Sequence, residues 1–351
     1  MSTMRAAFFR RHGEADVMEV GEAPTPEPGP GEVQVQVRAV ALNHIDLWMR
    51  RGLPALKIAL PHISGGDAVG TIAAWGAGVA GLREGDPVLV NPGLSCGRCA
   101  RCWGGQDNLC ADFRMLGEHT DGAMAERVVV PAANLVPVPA ACLAAGPDAL
   151  VALAALPISF ITAWHMLVDR AAVRPGETVL VLGAGSGVGV AATQIAKLFG
   201  ARVIAAASGA RKLAGARALG ADATVDYVDE ELVGAVKRLT DRRGADIVVE
   251  HTGAATFAKS VVSCARGGRI VTCGATAGHE AVLNLRHIFW RQLAILGSTL
   301  APKARLFDIL DRVASGQLHP VIDRTLPLES IVQAHLALES RDVFGKIVLT
   351  L

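Results

Sequence analysis

The stretch ETVLVLGAGSGVGVAATQIAKLFGARVIAAAS, residues 177–208, decides the fold. It opens with an apolar run, Thr178–Leu182, that ends in a glycine-rich turn. A helical pattern follows over Val188–Phe199, and a second apolar run covers Arg202–Ala207. This order predicts a β-α-β unit in which the amides of the first helical turn bind the pyrophosphate of a dinucleotide.

The glycines of the turn stand at every second position instead of in the usual G-x-G-x-x-G spacing. A glycine-rich loop without a nucleotide is the alternative interpretation, but the position between a strand and a helix favours a cofactor site. The turn residues expected to contact the cofactor are Gly183, Gly185, Ser186, Gly187, Val188 and Gly189.

The end of the second strand selects the cofactor. An acidic residue there binds the ribose hydroxyls of NAD, but this chain has Ala207, followed by Ser208, Arg211 and Lys212. The missing acid and the two cations favour the 2′-phosphate of NADPH. The alternative is that both cations are exposed helix residues.

Further apolar segments, ADATVDYV, ADIVVEHTG, GGRIVTCGAT and LAILGST, predict four more strands of one parallel sheet. Ligands bind at the carboxyl ends of such strands, so four residues are expected to line the nicotinamide side of the cofactor. They are His251, Thr252, Gly274 and Ala275.

Bulk composition describes a well-packed globular protein. The 351 residues are 51% hydrophobic and 19% charged, with a net charge of +1, which argues against a nucleic-acid partner. The longest apolar run, Leu150–Val168, contains Pro157 and His165, which predicts a buried inter-domain helix and no membrane span. The N-terminus lacks the apolar segment of a signal peptide, so we expect a cytoplasmic protein.

Residues 1–155 differ from this α/β pattern. Alternating segments such as GEVQVQVRAVALN and short strands between turns predict a small, mostly-β domain. The expected organisation is this domain over 1–155, a cofactor domain over 156–300, and a return of 301–351 to the first domain.

A cysteine cluster lies inside the first domain, within the segment 93–112. The stretch CGRCARCWGGQDNLC holds Cys96, Cys99, Cys102 and Cys110. Four thiolates complete a tetrahedral zinc shell and leave no position for water or substrate, so this spacing predicts one structural Zn²⁺. Free thiols and disulfides are the alternatives, and a reducing cytoplasm disfavours disulfides.

The chain as a whole resembles the medium-chain dehydrogenase/reductase superfamily, which includes zinc alcohol dehydrogenases and NADPH:quinone oxidoreductases. The resemblance rests on ALNHIDLWMRRG, the G-x-D-x-x-G at 65–70, the cysteine cluster, the glycine turn and the terminal FGKIVL. It implies an α/β fold with a GroES-like catalytic domain, a Rossmann cofactor domain and an active site in the cleft between them.

The catalytic zinc ligands of alcohol dehydrogenases do not recur. The resemblance aligns Asn43 with the first cysteine ligand, Gly66 with the histidine, Asp67 with the glutamate and Ile158 with the later cysteine. Ile45 stands at the usual Ser/Thr of the proton relay. One carboxylate and an amide do not make a catalytic zinc site.

The resemblance therefore implies an NADPH-dependent oxidoreductase of the quinone-reductase type, acting on quinones or α,β-unsaturated carbonyl compounds. Asn43, Asp67 and Trp48 are the expected catalytic or acceptor-pocket residues. His44, Thr162 and Lys346 are further expected cofactor contacts, beside Ser208, Arg211 and Lys212.

Two other functions stay open. A zinc-dependent alcohol dehydrogenase or aldehyde reductase would need other ligands, for example His62 with Asp67 and Asn43. A non-catalytic NADPH-binding sensor would bind the cofactor without turnover. Relatives pair through the last strand of the cofactor sheet, so we expect a homodimer or homotetramer.

Overall fold

The computed structural model describes residues 2–53, 56–144, 146 and 148–351. The chain divides into two compact units. One consists of Met1–Ile158 together with Pro302–Leu351, and the other of Ser159–Ala301.

The strands in chain order are β1 Thr3–Phe9, β2 Met18–Pro24, β3 Glu32–Ala41, β4 Asp67–Trp75, β5 Pro87–Val90, β6 Gly93–Leu94, β7 Arg114–Met115, β8 Arg127–Pro131, β9 Leu135–Pro137, β10 Thr178–Val181, β11 Arg202–Ala207, β12 Ala223–Asp226, β13 Ala245–Glu250, β14 Cys264–Thr272, β15 Ala294–Gly297, β16 Ile322–Pro327 and β17 Lys346–Thr350.

The α-helices are α1 His44–Arg51, α2 Ala100–Trp103, α3 Ala140–Leu143, α4 Ala149–Leu153, α5 Pro157–Trp164, α6 Gly187–Leu198, α7 Ala210–Ala218, α8 Leu232–Leu239, α9 Ala254–Ser263, α10 Leu285–Arg291, α11 Arg305–Ala314 and α12 Ile331–Glu339. A π-helix covers His165–Arg170, and short 3-10 turns cover Ala15–Val17, Asp107–Leu109, Ala132–Asn134 and Leu328–Ser330.

The unit Ser159–Ala301 contains a parallel six-stranded sheet in the order β12-β11-β10-β13-β14-β15. This is the 3-2-1-4-5-6 order of a dinucleotide-binding Rossmann sheet. Its central strands are buried on both faces, which explains their continuous apolar sequences. The predicted Rossmann fold is confirmed.

The other unit is mostly β. Its larger sheet has the order β16-β17-β3-β4-β5-β9, with β8 also paired to β3. Along β3, Val33, Val35 and Val37 are buried while Gln34 and Gln36 are half-buried, as the alternating sequence predicts. This unit is the GroES-like part of the α/β fold that the resemblance implied.

The apolar run 150–168 does not form the single helix that we predicted. It contains most of α4, the whole of α5 from Pro157 to Trp164, and the first residues of a π-helix that begins at His165. Proline is well tolerated in the first turn of a helix, because its missing N–H has no intrahelical partner there. Within the described residues, no helix is long and apolar enough to span a membrane.

Candidate functional site

The four cysteines of the predicted zinc cluster lie together. Their sulfur atoms are all within 4.8 Å of one another. Cys99 Sγ lies 3.5 Å from Cys102 Sγ and 3.9 Å from Cys110 Sγ. Zn–S bonds of about 2.3 Å in a tetrahedron place sulfurs about 3.8 Å apart, so the cluster fits Zn²⁺. A backbone hydrogen bond from Arg98 is the main cause that lowers the pKa of the Cys96 thiol to about 6.

The cluster is also tied to the C-terminal part of its own unit. The Lys303 backbone N–H donates to Asp107 Oδ1 at 3.1 Å, and Lys303 Nζ donates to Ser95 Oγ at 2.8 Å. Among the described residues, these cysteines are the one group of three or more metal-ligating side chains.

Three neighbouring strands of the mostly-β unit bring Asn43, Asp67 and Lys346 together. Asn43 follows β3, Asp67 opens β4 and Lys346 opens β17, and β3 pairs with both other strands. Lys346 Nζ donates to Asp67 Oδ2 at 2.9 Å and to Asn43 Oδ1 at 2.5 Å. We call these three residues the Lys346 cluster.

Asp67 has no exposed surface and both of its carboxylate oxygens accept hydrogen bonds. Oδ1 accepts from the Ile158 backbone N–H at 2.7 Å, and Oδ2 accepts from Asn43 Nδ2 at 2.9 Å as well as from Lys346. Because the buried carboxylate has a cation and these donors, its charge is compensated.

A second buried carboxylate, Asp46, lies in the first turn of α1. It accepts from the Asn43 backbone N–H at 2.7 Å and from the Gly65 backbone N–H at 3.0 Å. Burial is the largest cause that raises the pKa of Asp46 to about 7, and the charge of Asp67 raises it further. This agrees with the structural role of a helix-start residue: the carboxyl fixes the segment that carries Asn43.

The position aligned with the histidine ligand has no room for a side chain. A Cβ atom on Gly66 would lie 3.0 Å from Ile158 Cδ1, 3.1 Å from the Leu116 carbonyl oxygen and 3.4 Å from Pro92 Cβ. Ile158 therefore occupies the space next to Gly66, and neither residue has a ligand atom. The residues at this place do not fit a catalytic zinc.

His62, the ligand that the alcohol-dehydrogenase alternative would need, is engaged elsewhere. Its Nε2 lies 3.1 Å from the Gly117 carbonyl oxygen and its Nδ1 lies 3.5 Å from Asp121. Burial is the main cause that lowers the pKa of His62.

The glycine turn of the other unit lies between β10 and α6, the place where Rossmann folds bind a pyrophosphate. Ser186 is the N-cap of α6, and its Oγ accepts from the Gly189 backbone N–H at 3.0 Å. A Cβ on Gly185 would lie 3.0 Å from Lys212 Cδ, and one on Gly183 would lie 2.8 Å from His251 Cε1. The structure thus brings Lys212 and His251 next to the turn, and their contact with a dinucleotide stays a prediction.

The remaining predicted residues occupy the expected elements. Ser208 is half-buried and Arg211 exposed at the start of α7, while Thr162 is buried in α5. Thr252, Gly274 and Ala275 are half-buried at the carboxyl ends of β13 and β14. In the mostly-β unit, His44 and Trp48 are half-buried on α1. Their contacts with a cofactor or an acceptor stay predictions.

Sequence reasoning missed two relationships. It did not predict that the Lys346 side chain donates to Asp67 and Asn43, and the expected contact of Lys346 with the cofactor stays a prediction. It also passed over Glu250, a buried carboxylate at the last position of β13. An acidic residue at the end of an otherwise apolar strand was the signal that could have identified it.

Two families of dehydrogenase domains match the chain. The zinc-binding dehydrogenase family matches residues 187–315, and the alcohol dehydrogenase GroES-like domain matches residues 29–140. The acryloyl-coenzyme A reductase of Metallosphaera sedula is 31% identical over 99% of this chain and 100% of its own length.

Solved structures extend these similarities. A crystal structure of an NAD-dependent alcohol dehydrogenase is 52% identical, with a TM-score of 0.94 over 99% of this chain and all of that one. The 2-octenoyl-CoA carboxylase reductase CinF, in complex with NADP and 2-octenoyl-CoA, is 27% identical, with a TM-score of 0.89 over 100% and 88% of the two chains. The chain belongs to the medium-chain dehydrogenase/reductase superfamily and is an oxidoreductase of that superfamily.

Proposed function

We propose that this oxidoreductase uses NADPH to reduce an acceptor activated by a conjugated carbonyl, either an α,β-unsaturated carbonyl compound or a quinone. A structural zinc lies in the cysteine cluster and no catalytic zinc is used. The observation that carries the proposal is the Lys346 cluster, in which an ammonium group compensates the buried Asp67 carboxylate.

Alcohol oxidation in this superfamily depends on a metal that stabilises an alkoxide. Gly66 and Ile158 offer no ligand atom, and the Asp67 carboxylate is already hydrogen-bonded to three donors. A conjugated carbonyl needs less assistance, because hydride from the nicotinamide adds to a carbon that is already electrophilic. The protein then positions the acceptor and stabilises the negative oxygen that develops.

Asn43, Asp67 and Trp48 are the residues proposed for the acceptor. Asn43 forms the polar part of the proposed acceptor site. Asp67 has no exposed surface and acts on Asn43, because their mutual hydrogen bond and the Lys346 ammonium fix the Asn43 side chain. Trp48 is half-buried on α1, five residues after the N-cap Asn43, and supplies an apolar surface.

NADPH is the proposed cofactor because β11 ends in Ala207 and has no acid at the ribose position. Lys212 lies beside Gly185, with exposed Arg211 next to it. The NADP complex of the similar CinF supports this choice. The enoyl-CoA substrates named for CinF and for the Metallosphaera reductase support a conjugated acceptor.

The second candidate is an NAD-dependent alcohol dehydrogenase, which the name of the 52% identical structure favours. It predicts preference for NADH and turnover with alcohols or aldehydes. An NADPH-binding sensor is the third candidate and predicts binding without turnover.

A homodimer is the proposed assembly. In the described sheet, β15 pairs with β14 on one side only, and Phe289, Trp290 and Ile295 are exposed on or beside it. Such an apolar edge strand favours pairing with a second copy. The cytoplasm is the proposed location, because its reducing conditions keep the four clustered cysteines available as zinc ligands.

The test is a steady-state assay of NADPH oxidation with a short enone, an enoyl-CoA, 9,10-phenanthrenequinone and an aldehyde. NADH runs in parallel, and zinc is counted in the same preparation. Turnover with a conjugated acceptor, preference for NADPH and about one zinc per chain support the proposal. Turnover confined to aldehyde or alcohol with two zincs per chain overturns it.

A further inference from the structure

Glu250 is a buried carboxylate that the proposed chemistry does not use. It is the last residue of β13 and has no exposed surface. Its Oε1 accepts from the Thr252 backbone N–H at 2.8 Å and the Gly253 backbone N–H at 3.0 Å. Its Oε2 accepts from Thr256 Oγ1 at 2.9 Å and Ser260 Oγ at 2.6 Å.

All four donors are neutral groups, and all lie within ten residues after Glu250 in the sequence. A buried carboxylate is costly unless hydrogen bonds replace its hydration, so the segment that supplies them must keep one shape. The two backbone donors belong to the turn 251–253, which leads into α9. The N-terminus of that helix adds a favourable field for the negative charge.

The turn held by Glu250 carries His251, which lies against the glycine turn. The His251 ring is hydrogen-bonded to the Leu182 backbone, and its Nε2 lies 3.5 Å from Ser186 Oγ. A Cβ on Gly183 would lie 2.8 Å from His251 Cε1, so the ring leaves no room for a side chain there. His251 therefore connects the end of β13 to the first residues of the anion site.

The same turn also supports a second loop of the cofactor edge. The Ala277 backbone N–H donates to the Thr252 carbonyl at 2.7 Å, and Thr276 Oγ1 donates to the His251 carbonyl at 3.3 Å. Residues 251–253 thus contact both the glycine turn and the loop that carries Gly274 and Ala275.

We propose that Glu250 is a positioning residue for the cofactor. It fixes the turn 251–253, and through His251 it holds the glycine turn in the shape that binds the dinucleotide. Glu250 itself has no exposed surface with which to touch the ligand. The inference rests on the proposed function, in which that ligand is NADPH.

The decisive variant is Glu250→Gln. Its amide replaces one carboxylate oxygen with a donor, which then faces a donor of the turn or of α9. The two facing donors then lack an acceptor. If this distorts the turn 251–253, we expect the affinity for NADPH to fall roughly 10-fold. His251→Ala removes the connection to the glycine turn, so the two substitutions together should cost less than the product of their separate effects.

Glu231→Gln is the matched control. Glu231 is the N-cap of α8 in the same unit, and its carboxylate also accepts two backbone N–H groups, from Val233 and Gly234. It is exposed and has no described contact with the glycine turn. This control separates the general effect of losing a carboxylate at a helix start from an effect on the cofactor.

The experiment is a fluorescence titration of the full chain with NADPH, with melting temperatures measured without cofactor. We expect the Kd to rise roughly 10-fold for E250Q and to change less than about 2-fold for E231Q. An unchanged Kd for E250Q with a lower melting temperature would make Glu250 purely structural and overturn the inference. Fully multiplicative effects of E250Q and H251A would overturn the route through His251.

Failure of the proposed function gives a different result, since the unmodified chain would then turn over no conjugated acceptor or would prefer NADH. The ratio of the E250Q Kd to that of the unmodified chain, measured with whichever cofactor binds, still tests the role of Glu250. Should E250Q not fold, Thr256→Val and Ser260→Ala remove one hydroxyl donor each. They are then expected to weaken NADPH binding by about 3-fold, and unchanged binding in both would overturn the inference.

Discussion

Lys346 donates to Asp67 Oδ2 at 2.9 Å, although the two residues are 279 positions apart in the chain. The Lys346 side chain is 4% exposed and that of Asp67 is 0% exposed. Their partner Asn43 follows β3, the strand between β4 and β17, so the sheet register itself creates this contact. The pair places one positive charge beside Asp67, the residue that the resemblance aligns with the glutamate of the catalytic zinc site.

Removing the ammonium should destabilise the mostly-β unit strongly. Lys346→Met leaves the Asp67 carboxylate buried without its cation, and breaking a buried pair on one side costs about 3–5 kcal/mol. Adding Asp67→Asn to the same chain removes the uncompensated charge and should restore part of that loss. Chemical denaturation monitored by circular dichroism measures both variants.

Lys197→Met is the control for this prediction, because Lys197 and Asp222 form a similar pair of 2.8 Å whose side chains are 33% and 37% exposed. Exposed pairs contribute about 0–1 kcal/mol. Equal losses for K346M and K197M would mean that the buried pair contributes no more than an exposed one.

Gly66 should reject even a methyl group. The Leu116 carbonyl oxygen and Ile158 Cδ1 both lie within 3.1 Å of a Cβ at this position, so Gly66→Ala overpacks the site at a cost of about 1–3 kcal/mol. Ile158→Val in the same chain removes the methyl group in contact and should recover part of the cost.

The free energy of unfolding measures the cost of Gly66→Ala. A second variant, Gly66→His, is tested by counting the zinc ions that it holds. We expect that variant, even together with Asn43→Cys, to hold no second zinc. Gly81→Ala, where a Cβ would meet nothing within 4 Å but φ is +77°, reports the cost of backbone strain alone. A second, tightly held zinc in the histidine variant would contradict the packing argument.

The predictions that depend on neighbouring residues agree closely with the structure. The unit β10-α6-β11 begins and ends within one residue of its predicted bounds, because periodicity and glycine placement act over neighbouring residues. The cysteine cluster followed for the same reason, since its ligands lie within fifteen residues. The helix predicted over 150–168 failed because a proline that begins a new helix was read as interior.

Contacts between distant segments could not be predicted in this way. The position of Lys346 beside Asp67 depends on the pairing of β17 and β4 with β3, and no local pattern specifies that register. The filling of the Gly66 space by Ile158 also depends on packing across segments. For the same reason, the resemblance identified which ligands were missing but not what replaced them.

Cofactor preference should depend on the start of α7. Replacing both Arg211 and Lys212 by alanine removes two cations near the expected 2′-phosphate and should lower the NADPH-to-NADH preference by roughly 10- to 100-fold. The loss should appear in the Kd for NADPH and not in that for NADH. Arg238→Ala is the control for a general loss of positive charge. Arg238 lies on α8 and forms an ion pair at the surface with Glu230. Equal weakening of both cofactors would contradict a phosphate contact.

Acid should destabilise the mostly-β unit through His335. This histidine of α12 is completely buried, and Arg50 Nη1 donates to its Nδ1 at 3.1 Å. The pKa of His335 is lowered to about 3, mainly by burial and also by the charge of Arg50. In the unfolded chain a histidine takes up its proton near pH 6.5.

Between pH 6.5 and 3 the unfolded state therefore binds one more proton than the folded state at this residue, so stability falls as the pH falls. The slope due to this group is at most about 1.4 kcal/mol per pH unit. His335→Gln keeps an acceptor for Arg50 and cannot gain the proton, so it should flatten the pH dependence of the unfolding free energy in that range. Urea denaturation at several pH values measures the slope, with His319→Gln at an exposed position as the control. If H335Q has the same slope as the unmodified chain, the pKa of His335 does not differ between the folded and unfolded states.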